Sequence, residues 1–259
     1  LKKDLIDKIW IRKNNIKPKK FYILSDQDSG ESSIKKIKKI SKVLNKNKIN
    51  FQFISAPENV AWLLNLRGQD CAYSPIPNSY IIINNKNKVY LFCDLKKVNR
   101  KLRNDLGKSV IIVNIKNIEK FLINIKNKTF QLDISSCSIF FKSIIEKNNK
   151  IIEKTDPIYL LKSIKNKTEI KNMIDAHILD GAALTKFLFW MKKRRSLNLS
   201  EIDAEKKLEK FRRKNKNFLY PSFNTIAGSG PNGAIIHYRA NKSSNRKINI
   251  KDIFLCDSG

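Results

Sequence analysis

Residues able to do chemistry gather in two stretches. The first is Gly228-Ser229-Gly230-Pro231-Asn232-Gly233-Ala234-Ile235-Ile236-His237-Tyr238, and the second is Phe254-Leu255-Cys256-Asp257-Ser258-Gly259. Gly228, Gly230 and Gly233 are three of only 8 glycines in the chain. Glycine concentrated in one loop permits positive φ and close backbone approach. A phosphate loop is excluded, because no Gly-Lys-Ser/Thr closes the run and a strand, not a helix, is expected after it. His237 is expected to emerge from an apolar strand over 234–238, and Asp257 from the end of a strand over 253–257. A carboxylate at such a strand end is costly to bury unless it is paired or bound to metal. Each residue alone has an ordinary alternative: His237 as a hydrogen-bonded core histidine, and Asp257-Ser258-Gly259 as a turn, which aspartate and glycine favour. His177, the other histidine, sits among apolar neighbours in mid-helix and reads as structural.

The elements that must position these residues follow from hydrophobic period. Strands are expected at 21–24, 51–54, 79–83, 88–93, 110–113, 129–132 and 151–152, with residues 84–87 (Asn84-Asn85-Lys86-Asn87) turning a hairpin between the third and fourth. Ile34, Ile37, Ile40, Val43 and Leu44 share one face of a helix over 33–45, and a short helix is expected over 58–64. Strands mixed with amphipathic helices make an α/β domain of residues 1–155, of which residues 1–18 are a lead-in linker. The pattern changes at Thr155-Asp156-Pro157. One long helix is expected from 166 to about 195, opened by Asn166 and Glu169 as a capping box. Ile170, Met173, Ile174, His177, Leu184, Phe187 and Leu188 form its apolar face. Ser200 with Asp203 starts a second helix carrying Ala204, Leu208 and Phe211 on one side. A strand over 222–226 then precedes the glycine loop. The strands of His237 and Asp257 are expected to be antiparallel neighbours joined by the polar stretch 239–249. Both side chains would then face the concave side of a curved sheet without direct hydrogen bonding.

Composition narrows the classes. The chain has 259 residues, 41% of them hydrophobic, enough for two cores and too many for a disordered chain. No apolar run reaches the ~18 residues of a membrane helix, and the charged start does not resemble a signal peptide, so a cytoplasmic location is expected. The four cysteines, Cys71, Cys93, Cys137 and Cys256, are scattered and contain no C-x-x-C pair. A zinc site of cysteine and histidine and a disulfide scaffold are both disfavoured. The net charge is +30, from 53 Lys+Arg against 23 Asp+Glu. A basic nucleic-acid-binding protein is one explanation. Codon bias is the other: lysine, isoleucine and asparagine are enriched together along the whole chain, whereas a binding stripe should be local. The second is preferred, and no nucleic-acid partner is expected.

The order of motifs gives a more specific reading. From residue 156 to 259 the chain resembles the catalytic domain of Xaa-Pro aminopeptidases, within the creatinase/methionine-aminopeptidase pita-bread superfamily. The resemblance rests on Lys162-Ser163-Ile164-Lys165-Asn166, Ala176-His177-Ile178, Asp180-Gly181-Ala182-Ala183-Leu184, Glu201-Ile202-Asp203-Ala204, the glycine loop through His237-Tyr238, and Asp257-Ser258-Gly259. Upstream, Ala61-Trp62-Leu63-Leu64-Asn65-Leu66-Arg67-Gly68 with Asp70, Ser79-Tyr80-Ile81-Ile82 and Asp7-Lys8-Ile9-Trp10 resemble the middle domain of the three-domain cytosolic form. Prolidases and creatinases share the fold but are not expected to carry the wording from Trp62 to Gly68.

The resemblance implies a creatinase N-terminal-like α/β middle domain followed, over 156–259, by the first half of an α+β pita-bread domain. It implies release of the N-terminal residue from peptides with proline second, two divalent metal ions (manganese by preference) and a possible homodimer. Asp257 matches the first metal-binding aspartate, and His237 a substrate-contacting histidine. The remaining metal ligands are expected beyond residue 259 and a first domain before Leu1, so this chain is expected to be a fragment and inactive alone. A prolidase or creatinase-type relative is the alternative within the same chemistry. Arg67 could line a pocket or simply bond a carbonyl or carboxylate within its own domain.

Overall fold

The computed structural model describes residue 9 and residues 19–193 and 198–259. The lead-in linker over 1–18 and the end of the long helix near residue 195 therefore lie outside the described residues, apart from residue 9.

A six-stranded mixed sheet organises the first part of the chain. Its strands are β2 (Phe51–Ile54), β4 (Tyr80–Asn84), β5 (Val89–Cys93), β6 (Val110–Asn114), β7 (Thr129–Leu132) and β8 (Lys150–Glu153), in the spatial order β6-β5-β4-β2-β7-β8. The β4–β5 hairpin turns on Asn87, whose φ is +63°. A separate two-stranded pair joins β1 (Tyr22–Ile23) to β3 (Leu66–Arg67). Alternation along β4 decides the layers: Ile81 and Ile83 enter one core, Ile82 the other. The first core is closed by α2 (Ser33–Lys46), α3 (Pro57–Leu64) and α4 (Arg100–Leu106), which follow the four-residue α1 (Asp26–Ser29). The second is closed by α5 (Ile118–Asn124) and α6 (Ile139–Glu146), where Phe53, Phe92, Phe130 and Leu132 meet Ile118, Leu122 and Ile145. Helices on both faces of a sheet make the expected α/β layering.

The connection to the second part is polar and buried. Asp156 caps the N-terminus of α7 (Pro157–Ser163), accepting from the Ile158 N–H at 2.9 Å. It also accepts from Gln52 Nε2 and Asn59 Nδ2, each at 2.8 Å. Burial pushes its carboxyl above the ordinary aspartate range in spite of these donors. Helix α7 thereby lies on the first sheet, with Ile158 buried in its core.

The long helix α8 (Lys167–Lys193) opens on the expected capping box: Asn166 N donates to Glu169 Oε2 at 2.8 Å, and Glu169 N to Asn166 Oδ1 at 3.0 Å. Its expected apolar face divides in two. Phe187 is buried and Leu184 packs beside it, whereas Ile170, Met173, Ile174 and Leu188 are exposed. His177 is exposed as well, its Nδ1 2.8 Å from the Met173 carbonyl. Helix α9 (Glu201–Arg212) has the Ser200/Asp203 capping box, and its Ala204 and Leu208 close a small core on Phe187.

Candidate active site

Strands β9 (Ile226–Ser229) and β10 (Phe254–Asp257) pair antiparallel, with Asp257 opposite Ile226 and Phe254 opposite Ser229. The strand expected over 222–226 thus begins at its last residue and runs on to Ser229. Phe254 and Cys256 pack toward Phe187, Ala204 and Leu208. By the two-residue period of a strand, Leu255 and Asp257 project from the opposite, open face, and both are exposed.

The strand expected over 234–238 is absent, and with it the hairpin between a His237 strand and the Asp257 strand. Residues Gly230–Ala234 form a 3-10 turn, and His237 follows in a turn with φ +54°. The physical reason lies in the loop. Pro231 cannot donate to a strand ladder, and Gly230 sits at φ +55°, a left-handed conformation that ends extension. Gly228 lets the turn fold back: a Cβ there would stand 2.9 Å from backbone atoms of Asn232 and Gly233. Gly233 lies against Leu255 on the open face, a Cβ on it reaching the Leu255 Cβ at 3.5 Å. The turn leading to His237 therefore starts on the side from which Asp257 projects.

A buried carboxylate holds this loop. Glu201, at the first turn of α9, is 0% exposed. Oε1 accepts from Ser229 N at 2.7 Å and Asn232 Nδ2 at 3.0 Å; Oε2 accepts from the Tyr238 hydroxyl at 2.7 Å and Arg246 N at 2.9 Å. Burial alone would raise its carboxyl, but the donors from Arg246, Ser229, Tyr238 and Asn232 outweigh it and hold the group below the ordinary glutamate range. Tyr238 is buried while the preceding Ile236 is 86% exposed and His237 is exposed. One anchored phenol next to an outward-turned imidazole gives His237 a fixed base. Residues 246–248 run beside the start of α9, where Ser200 bridges Lys247. Sequence reasoning gave Glu201, Asn232 and Tyr238 no roles. The available signal was a second acid directly after a cap that Asp203 already completes.

Asp257 makes no hydrogen bond or ion pair through its carboxylate among the described residues, which leaves an oxygen donor free on the open face. Those residues contain no group of three or more His, Cys, Asp or Glu side chains placed to hold a metal ion. A carboxylate exposed in this way fits one ligand of a metal site. In the upstream motif, Arg67 donates through Nη1 to the carbonyls of Ala61 and Leu66, both at 3.0 Å, and Asp70 pairs with Lys97 at 2.6 Å. Arg67 thus takes the carbonyl-bonding role within its own domain.

Residues 12–169 match the creatinase/prolidase N-terminal domain. The chain belongs to that family. Creatinase/prolidase-type architecture continues in residues 171–259, which match metallopeptidase family M24, so a portion of the pita-bread domain follows the N-terminal-like domain. Among curated relatives, Xaa-Pro aminopeptidase 1 of Dictyostelium discoideum is 36% identical over 92% of this chain and 38% of its own length. Xaa-Pro aminopeptidase ApepP of Drosophila melanogaster is 33% identical over 99% of this chain and 43% of its own. The crystal structure of X-prolyl aminopeptidase from Caenorhabditis elegans, a cytosolic enzyme with a di-nuclear active site, superposes with a TM-score of 0.90 at 27% identity. That match covers 99% of this chain and 43% of that one. The chain thus spans well under half the length of these relatives. An Xaa-Pro dipeptidase from Bacillus anthracis shares the fold, with a TM-score of 0.64 at 20% identity.

Proposed function

We propose that the complete protein is a metal-dependent aminopeptidase that releases the N-terminal residue from peptides with proline in second position. The observation carrying this reading is the likeness, in order and along nearly the whole chain, to Xaa-Pro aminopeptidases at 33–36% identity. In this reading Asp257 is one metal ligand and His237 contacts the substrate or the tetrahedral intermediate. The Xaa-Pro bond is a tertiary amide without an N–H. Its hydrolysis needs a strong nucleophile, a polarised carbonyl and a proton for the departing nitrogen. Two divalent ions, when bound, supply a nucleophile from water at neutral pH and polarise the carbonyl. Manganese suits a ligand set rich in carboxylate oxygen. Asp257 offers a hard oxygen for this purpose, with no partner for its carboxylate among the described residues. His237, steadied by the Tyr238–Glu201 hydrogen bond, offers a ring N–H to an oxygen that gains negative charge, and such a preplaced donor lowers the barrier without reorganising.

We place the division between the two units at 155/156, where the polar Asp156 cap follows the last strand of the large sheet. A cytoplasmic location and a homodimer complete the reading, with proline-containing peptides as partners and no nucleic acid. No helix among the described residues is long and apolar enough to cross a membrane. The test is cleavage by the complete protein, with manganese, of an Arg-Pro-Pro peptide and of an Xaa-Pro dipeptide. Release of arginine from the longer peptide is expected. Cleavage of the dipeptide alone makes the protein a prolidase, and cleavage unaffected by chelators refutes the metal-dependent reading.

A further inference from the structure

Helix α9 ends on a buried cation. Arg212 is 5% exposed, and its guanidinium meets Asp180, midway along α8, through Nε to Oδ1 at 2.6 Å and Nη2 to Oδ2 at 3.0 Å. This is the two-pronged geometry that guanidinium and carboxylate planes favour. The same Nη2 donates to the backbone carbonyl of Ser258 at 3.4 Å. One guanidinium therefore gathers the middle of α8, the end of α9 and the residue that follows Asp257. Burying this group is costly unless its donors are used, and the Ser258 carbonyl is the acceptor that brings the strand end into the set.

The position of that carbonyl matters for Asp257. Its carboxylate has no protein partner among the described residues, so its aim is set by its backbone. On one side the β9 ladder ends at the Asp257–Ile226 pair. Beyond it, the Ser258 carbonyl on Arg212 and the Gly259 carbonyl on Ser222 N, at 2.9 Å, hold the chain. A metal ligand tolerates displacement of only about 0.2 Å from its bonding distance.

We propose that Asp180 and Arg212 form a strut that positions Asp257 for metal binding. The proposal rests on the reading of Asp257 as a metal ligand. Arg212 reaches Asp257 through the Ser258 carbonyl and is therefore a positioning residue acting through the backbone.

The test uses the complete protein with R212M, R212K and D180N. In R212M and D180N, the metal concentration for half-maximal activation rises about tenfold or more, the range seen when an outer support of a ligand is removed. Turnover at saturating metal falls less than the metal affinity does, because the ligand itself remains. R212K keeps the charge but loses the fork and falls between. Independently of activity, amide deuterium uptake over residues 254–258 in the metal-free protein accelerates in R212M and D180N, while the six-stranded sheet is unchanged. Uptake at the strand end equal to wild type in both variants overturns the strut, and so does uptake that rises equally in the large sheet. If the wild-type protein binds no metal and cleaves neither peptide, the functional reading fails by itself, and the exchange experiment still decides whether Arg212 holds the strand end.

Discussion

Replacing Glu201 by glutamine is the most informative perturbation of the loop that carries His237. The side chain keeps its size but exchanges one acceptor oxygen for an NH2 group. Neither orientation of the amide suits the site. If nitrogen replaces Oε2 it faces the Arg246 N–H, and if it replaces Oε1 it faces the Ser229 N–H. Each backbone N–H is an obligatory donor. Two kinds of loss then add: charge-assisted hydrogen bonds become neutral, and one buried donor is left opposed to another, at about 1–3 kcal/mol for each unsatisfied group. We expect a total of about 3 kcal/mol, which corresponds to a fall in Tm of ~6–12 °C for a protein of this size. The carboxylate also sets an acid limit. Its pKa in the fold lies below the unfolded value of 4.5. The stability it contributes is complete above that value and is lost as pH falls through the lower, folded value. Urea titrations of wild type and E201Q at pH 7 and pH 3.5 check both statements. The gap between the proteins should be widest at pH 7 and narrow at pH 3.5. A difference under about 1 kcal/mol at pH 7, within the range of an ordinary surface change, refutes the argument that this carboxylate holds the loop.

Other consequences can be measured directly. In the complete protein, Asp257→Ala should lose both bound metal and turnover, whereas His237→Ala should depress turnover far more than metal content; equal metal loss in the two, by elemental analysis, would make His237 a ligand or a structural support. Phe187→Ala, which empties the small core beneath β10, should cost about 3–5 kcal/mol by chemical denaturation, and a cost below about 1 kcal/mol would mean that helices and strand pair are not packed through that ring. Binding to DNA, assayed by electrophoretic shift, should vanish between low salt and about 0.2 M, as expected for dispersed lysines making few fixed phosphate contacts; tight binding that persists at that salt would restore the nucleic-acid reading.

Much of the first unit was legible because each local signal agreed with the fold. The apolar runs at 79–83 and 88–93 flank an asparagine-rich turn, and the structure closes them into β4 and β5. In the second unit, Asn166 with Glu169 and Ser200 with Asp203 cap helices as their spacing predicts. The His237 segment failed for an identifiable reason. Residues 234–238 carry the apolar run of a strand, but the decisive interaction is a buried glutamate far upstream that draws in Tyr238 and leaves Ile236 outside. A tertiary hydrogen bond of that separation leaves no local pattern. The long helix shows the converse case. Its periodicity gives one continuous stripe, yet Leu184 and Phe187 join a core while Ile170, Met173 and Ile174 are exposed, because periodicity marks a face and not the surface that covers it.

The four donors gathered on Glu201 also impose an order on synthesis. The last of them, Arg246 N, lies 45 positions after the glutamate. Chains emerge from the ribosome at about 5–20 residues per second, so the acid waits roughly two to nine seconds for its final donor. The six-stranded sheet ends at Glu153 and can close before that interval begins. For those seconds the nascent protein is a finished α/β layer trailing a helix pair whose carboxylate is still hydrated.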